Sequence, residues 1–68
     1  MRATINGEPH DLPGGLTVAA LLEHLGVGVG KGRVAVERNG AVVKRAQHET
    51  EPVQDGDVIE VVSFVGGG

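Results

Sequence analysis

The chain ends on "SFVGGG", Ser63 to Gly68, and the last three residues cannot pack, cap or bond through a side chain. Glycine is among the costliest residues to order, so such a run reads either as a frayed end or cloning remnant, or as a tail whose backbone has a use of its own. Other residues that could do chemistry are quickly weighed. The loop Gly28-Val29-Gly30-Lys31-Gly32 suggests a phosphate cradle, but a P-loop needs GxxxxGK followed by Ser or Thr, opening a helix after a strand. Here Gly32 follows Lys31, Leu25 stands at the first glycine position, and the segment leaves a helix to enter a strand. His10, His24 and His48 fall on a strand, a helix face and a loop without ligand-like spacing, and read as solvated surface histidines rather than a metal set. Ser63 has no neighbouring base to activate it. Glu49, Glu51, Asp55 and Asp57 read as a solvated acidic edge, able to steer a basic partner. No catalytic constellation survives, so the chain reads as something other than an enzyme.

The elements that would carry the tail follow from periodicity. Met1, Ala3 and Ile5 alternate with Arg2 and Thr4 ahead of an Asn6-Gly7 hairpin turn, and a second strand runs from Glu8 to Leu12. Pro9 suits that strand to a sheet edge. In "TVAALLEHLG", Thr17 is a fitting N-cap, Val18, Leu21, Leu22 and Leu25 share one face, and Gly26 supplies the left-handed stop. The spacing predicts a helix over residues 17–25, too short to stand alone and therefore laid on a sheet. "RVAVERNGAVV" gives a third strand with Val34 and Val36 inward, an Asn39-Gly40 turn and a short strand through Ala41–Val43. A polar stretch from Lys44 to Gln54 and an Asp55-Gly56 turn precede "DVIEVVSFV", the longest strand. The expected fold class is α+β: a four- to five-stranded mixed sheet with one helix packed on one face. The domain is expected over 1–65, with 66–68 a flexible glycine tail. Its core should hold Ile5, Val18, Leu21, Leu22, Leu25, Val34, Val36, Ile59 and Val61.

In a domain this small Glu60 must face water, because burying an unpaired charge is prohibitive. Period two then puts Val58, Val62 and Phe64 on the same outer face, with Ile59 and Val61 inward. Phe64 either turns inward at the strand end or joins Val58 and Val62 in an apolar docking patch.

Composition narrows the function classes. Sixty-eight residues make one small domain, burying only about 60% of its unfolded surface. Phe64 is the sole aromatic, and there is no cysteine, which excludes disulfides, thiolate metal sites and cysteine nucleophiles. A net charge of −3 and the lack of stacking aromatics argue against nucleic acid. The apolar runs are too short for a signal peptide or a membrane span, so the expected location is the cytoplasm, with no membrane partner.

The strand and helix order, "VAVERNG" at 34–40 and "DGDVIEVVSFVGGG" at 55–68 resemble the thiamine-biosynthesis sulfur carrier proteins, the ThiS family, of the ubiquitin-like β-grasp class. The resemblance covers essentially the whole chain, and one departure is that Ala46–Glu51 carries no bulky aromatic. A terminal diglycine is shared with the molybdopterin synthase small subunit and with ubiquitin-like modifiers joined to lysines, and both stand as alternatives. The resemblance implies that the first strand lies centrally beside the last. It further implies that the Gly68 carboxylate is adenylated by an E1-like, ThiF-type adenylyltransferase using ATP and Mg, then converted to a thiocarboxylate (1-thioglycine). The sulfur would come from a donor such as a cysteine desulfurase and pass to a ThiG-type thiazole synthase. On this reading the chain binds no cofactor of its own, Gly66 and Gly67 thread the partners' active sites, and Val58, Val62 and Phe64 dock.

Overall fold

The computed structural model describes residues 1–27 and 32–65, with the backbone alone at 32, 64 and 65. Residues 28–31, expected to form a flexible loop, and the glycines 66–68, expected to form a flexible tail, lie outside the described residues.

Strands β1 (Arg2–Ile5) and β2 (Glu8–Asp11) form the first hairpin. Helix α1 (Val18–Leu25) follows, then β3 (Gly32–Arg38), β4 (Ala41–Val43), a 3₁₀ turn (Arg45–Gln47) and β5 (Val58–Val65). The sheet order is β2-β1-β5-β3-β4, with β1 and β5 parallel and the other pairs antiparallel. A five-stranded mixed sheet crossed by one helix, with β1 inside the sheet beside β5, is the expected β-grasp arrangement. β2 is an edge strand, where the missing N–H of Pro9 costs no ladder bond.

Both hairpins turn on Asn-Gly, with φ of 50° and 83° at Asn6 and Gly7 and of 53° and 84° at Asn39 and Gly40. Two successive positive φ values suit the twist of the flanking strands, and asparagine and glycine adopt them at least cost. The helix starts where Thr17 Oγ1 accepts the Ala20 N–H at 3.2 Å and stops at Gly26, whose φ is 71°.

Of the expected core, Ile5, Val18, Leu21, Leu22, Val36, Ile59 and Val61 are buried. Leu25 and Val34 are only half-buried and pack at its rim. Ala3, Leu12, Val43 and Val53 complete the core. Leu12 and Val53 belong to irregular segments tied down by backbone bonds, Leu12 N to Met1 O at 2.7 Å and Val53 N to Leu16 O at 2.9 Å.

The polar stretch before β5 is largely exposed but is tied into the fold at His48, Glu51 and Val53. It folds under the start of α1, where Val18 N donates to Glu51 O at 2.9 Å and Ala19 N to His48 O at 2.7 Å. These carbonyls satisfy helix N–H groups that have no partner within the helix. His48, expected at the surface, is 9% exposed, and its Nε2 lies 3.1 Å from Val43 O. It is the buried residue of the segment that lacks an aromatic. His24 is exposed as expected, and His10 is half-buried.

Among the described residues no helix is long and apolar enough to cross a membrane, and no three His, Cys, Asp or Glu side chains cluster to hold a metal.

Candidate functional site

Strand β5 connects the core to the glycines, so the site is built from what holds this strand and what it displays. Its inward residues Ile59 and Val61 are buried in the core shared with Val18, Leu21 and Leu22 of α1. Its outward residues Val58 and Val62 are 49% and 51% exposed, with Glu60 exposed between them. The sheet register completes this open face. Thr4 lies beside Val58, Glu37 beside Glu60 and Ala35 beside Val62, with Val42 beyond Glu37 on β4. Val42 is 70% exposed and extends the apolar surface. Sequence reading missed it, because a strand of three residues offers no alternation to separate Val42 from the buried Val43. The face therefore displays both Val58 and Val62, separated along β5 by Glu60. The backbone of Phe64 lies next to Arg33, while its side chain, like Gly66, Gly67 and Gly68, is outside the described residues.

The start of β5 is locked by a charged cluster. Arg38 Nε donates to Asp57 Oδ2 at 2.6 Å, Nη1 to Glu51 Oε2 at 3.1 Å and Nη2 to Gln54 Oε1 at 3.3 Å. Asp57 also accepts from Gln54 N at 2.7 Å and from Asn39 Nδ2 at 3.0 Å. This overturns the reading of Asp57 and Glu51 as a solvated acidic edge: Asp57 is 6% exposed and Glu51 half-buried. The register of β3 against β5 brings Arg38 beside Ile59, and so next to Asp57. Burial pushes the Asp57 carboxyl up, but hydrogen bonds from Arg38, Gln54 and Asn39, with the charge of Arg38, outweigh it and hold the carboxyl below the ordinary carboxylate range. The hydrogen bond to Asp57 in turn holds the Arg38 guanidinium above its ordinary value.

Two turn asparagines clamp β5 from either side. Asn39 N donates to Val58 O at 2.7 Å while its Oδ1 accepts from Val58 N at 2.9 Å. Asn6 Oδ1 accepts from Val61 N at 2.7 Å, and its Nδ2 donates to Val61 O at 3.0 Å. Sequence reading found both as turn residues but not as clamps, since the bonds reach residues far along the chain.

The described residues offer no nucleophile paired with a base: Ser63 is exposed and its hydroxyl makes no hydrogen bond among them. The arrangement fixes β5 at its base and presents an apolar face with central carboxylates.

Comparison with known proteins agrees with this architecture. The sequence model of the ThiS family matches residues 3–68. The sulfur carrier protein ThiS of Thermus thermophilus is 42% identical over 64 residues, 94% of this chain and 95% of that protein. A thiazole synthase of Magnetococcus marinus is 47% identical over all 68 residues, and the chain spans 20% of that protein's length. The same holds, at 46% identity, for a thiazole synthase of Paramagnetospirillum magneticum, of which it again spans 20%. The crystal structure of a thiamine biosynthesis protein (ThiS) from Geobacter metallireducens superposes with a TM-score of 0.81 at 40% identity, covering 100% of both chains. A family match over nearly the full length, a whole-length relative and a shared fold lead to one conclusion: the chain belongs to the ThiS family.

Proposed function

We propose that this chain is the sulfur carrier of thiamine biosynthesis, itself no catalyst, and that its working group is the α-carboxylate of Gly68. The observation that carries this reading is the strand β5, anchored at Asp57 and Val61 and running directly into three glycines. A carboxylate with a pKa of about 3.3–3.7 is ionised at neutral pH and a poor electrophile. Its oxygen attacks the α-phosphorus of ATP on an adenylyltransferase, where Mg assists, and pyrophosphate leaves. The acyl-adenylate then carries AMP as a leaving group. The terminal sulfur of a donor persulfide, such as one on a cysteine desulfurase, attacks the acyl carbon and releases AMP to give an acyl disulfide. A thiol then attacks the donor sulfur of that S–S bond, leaving the thiocarboxylate on Gly68 and a disulfide on the donor. Glycines at 66 and 67 let the end pass a narrow channel without Cβ clashes, and three extended residues reach about 10 Å.

Thiazole synthase is the proposed sulfur acceptor. Proteins of that name contain a segment alike over the whole of this chain. Joining carrier and acceptor in one polypeptide raises their effective concentration, which favours two modules that act on one another.

The open face is the proposed docking surface for the adenylyltransferase, through Val58, Val62 and Phe64. The test is ATP–pyrophosphate exchange with purified adenylyltransferase, ATP and Mg. The wild-type chain is expected to support exchange. Val62→Asp places a charge in the apolar face and should raise the KM for the carrier by about tenfold or more, a loss of about 1.4 kcal/mol of binding, with kcat little changed. No exchange with wild type would contradict the carrier reading, and an unchanged KM for Val62→Asp would contradict only the docking face.

A further inference from the structure

Strand β5 is eight residues long and its parallel neighbour β1 only four. They pair with Thr4 beside Val58 and Ile5 beside Ile59, after which the chain turns away at Asn6-Gly7. At that point Asn6 N donates to Ile59 O at 2.9 Å, and the Asn6 side chain takes both backbone groups of Val61. The amide takes the two backbone groups of Val61 that a longer β1 would have paired, and pairing on this side of β5 ends there.

On the other side the ladder continues. Val62 lies beside Ala35, Ser63 beside Val34, Phe64 beside Arg33 and Val65 beside Gly32. In an antiparallel pair, residues that exchange backbone bonds alternate with residues whose N–H and C=O point away. The bond from Asn39 N to Val58 O sets the phase, so Val58, Glu60, Val62 and Phe64 bond to β3. Ile59, Val61, Ser63 and Val65 then point to the β1 side, in agreement with the bonds from Asn6 to Ile59 and Val61. The N–H and C=O of Ser63 and the N–H of Val65 therefore project along the line that β1 has left, and among the described residues nothing pairs with them.

We infer that this bare edge of β5, from Ser63 to Val65, is a strand-addition site along which the adenylyltransferase lays an extended segment of its own backbone. The inference rests on the carrier reading above and names how the partner grips the strand. An extended backbone is the matching occupant because the edge presents N–H and C=O groups at two-residue spacing, the recognition pattern of an added strand. The edge is continuous with the docking face, since Val58 and Val62 belong to the same strand, and it lies immediately before Gly66. Two or three backbone bonds there fix the direction in which the last residues leave the domain. That removes rotational freedom close to the reacting carboxylate, where orientation counts most. An uncovered edge is equally a template for a second copy of the same chain, which makes self-association the competing occupant.

The test uses the full chain and the purified adenylyltransferase with ATP and Mg. Ser63→Pro removes an N–H that points away from β3, leaving the β3–β5 ladder its donors, and proline is tolerated at such an edge position. Ser63→Ala controls for loss of the hydroxyl. Ser63→Pro is expected to raise the KM for the carrier by about tenfold, the order one backbone hydrogen bond is worth, with Ser63→Ala near wild type. Hydrogen exchange on the wild-type chain should show the Ser63 and Val65 amides fast in the free protein and slowed at least about tenfold in the complex. If Ser63→Pro fails to fold, this exchange measurement decides alone. Unprotected amides in a complex that still adenylates wild type would overturn the strand addition and leave the carrier reading intact. Protection in the free protein that grows with concentration would assign the edge to a second copy and overturn it too. Absence of any adenylation of wild type would remove the carrier reading and this inference with it.

Discussion

Deletion of Gly68, or Gly67→Trp, is expected to abolish pyrophosphate exchange while leaving the fold intact. The two halves of this result come from different parts of the chain. The buried core ends at Val61, and the described hydrogen bonds and ladder pairs end by Val65. Loss of a glycine beyond that point should change stability by no more than about 0.5 kcal/mol. For a domain of this size that moves the thermal midpoint by about 2–4 °C at most. Adenylation, by contrast, requires the carboxylate at one point beside the α-phosphorus of ATP. Removing one residue withdraws it by about 3.3–3.6 Å, and a misplacement of even about 1 Å can cost on the order of 100-fold. An indole at position 67 does the same by blocking the channel. Thermal melts and pyrophosphate exchange on the two variants check both halves. Normal exchange by the Gly68 deletion would dismiss the terminal carboxylate as the working group.

Asp57→Ala is expected to destabilise the domain by about 3–5 kcal/mol, the range for breaking a buried ion pair from one side. The Arg38 side chain is 20% exposed and would lose its shortest bond, leaving only Glu51 and Gln54. Gln54 N and Asn39 Nδ2 would lose their acceptor as well. Against a total stability of about 5–15 kcal/mol, such a loss populates unfolded chains in mild denaturant. The pH dependence has a defined sign. The Asp57 carboxyl is held below the ordinary range in the folded chain, whereas the unfolded value is about 3.9. Its contribution is therefore complete above the unfolded value and is lost as pH falls through the lower folded value. Urea unfolding of wild type should weaken on acidification from about pH 5 downwards more steeply than that of Asp57→Asn, which takes up no proton at this position. Equal slopes would show that Asp57 is not the acid-sensitive group.

This cluster also marks where the sequence stopped being readable. The helix was legible because Val18, Leu21 and Leu22 recur at helical spacing between a threonine cap and a glycine stop. The two hairpins were legible because Asn-Gly is a local signal, and the outward pair Val58 and Val62 followed from period two once Glu60 was placed in water. Asp57 looked like one carboxylate among several in a polar stretch. Its burial depends on Arg38, which only the β3–β5 register brings alongside. His48 and Val53 are buried from irregular segments, where no periodicity distinguishes an inward residue from an outward one, and Leu12, read as the end of the second strand, is buried just beyond it. The side chain of Asn6 bonds Val61, a partner set by the parallel pairing of β1 and β5. Local chemistry was readable, whereas contacts created by closing the sheet were not.

The carrier reading stands or falls on the chemical state of Gly68 in the cell. Intact-mass analysis of the protein isolated from its native host during thiamine-limited growth, followed by fragmentation of the C-terminal peptide, addresses it directly and also establishes whether Gly68 is the last residue. The expected result is a fraction of the chain in which one oxygen of the Gly68 carboxylate is replaced by sulfur, with that fraction lost when the adenylyltransferase is deleted. A chain found only as the ordinary carboxylate under those conditions, or joined through Gly68 to a lysine of another protein, would contradict it.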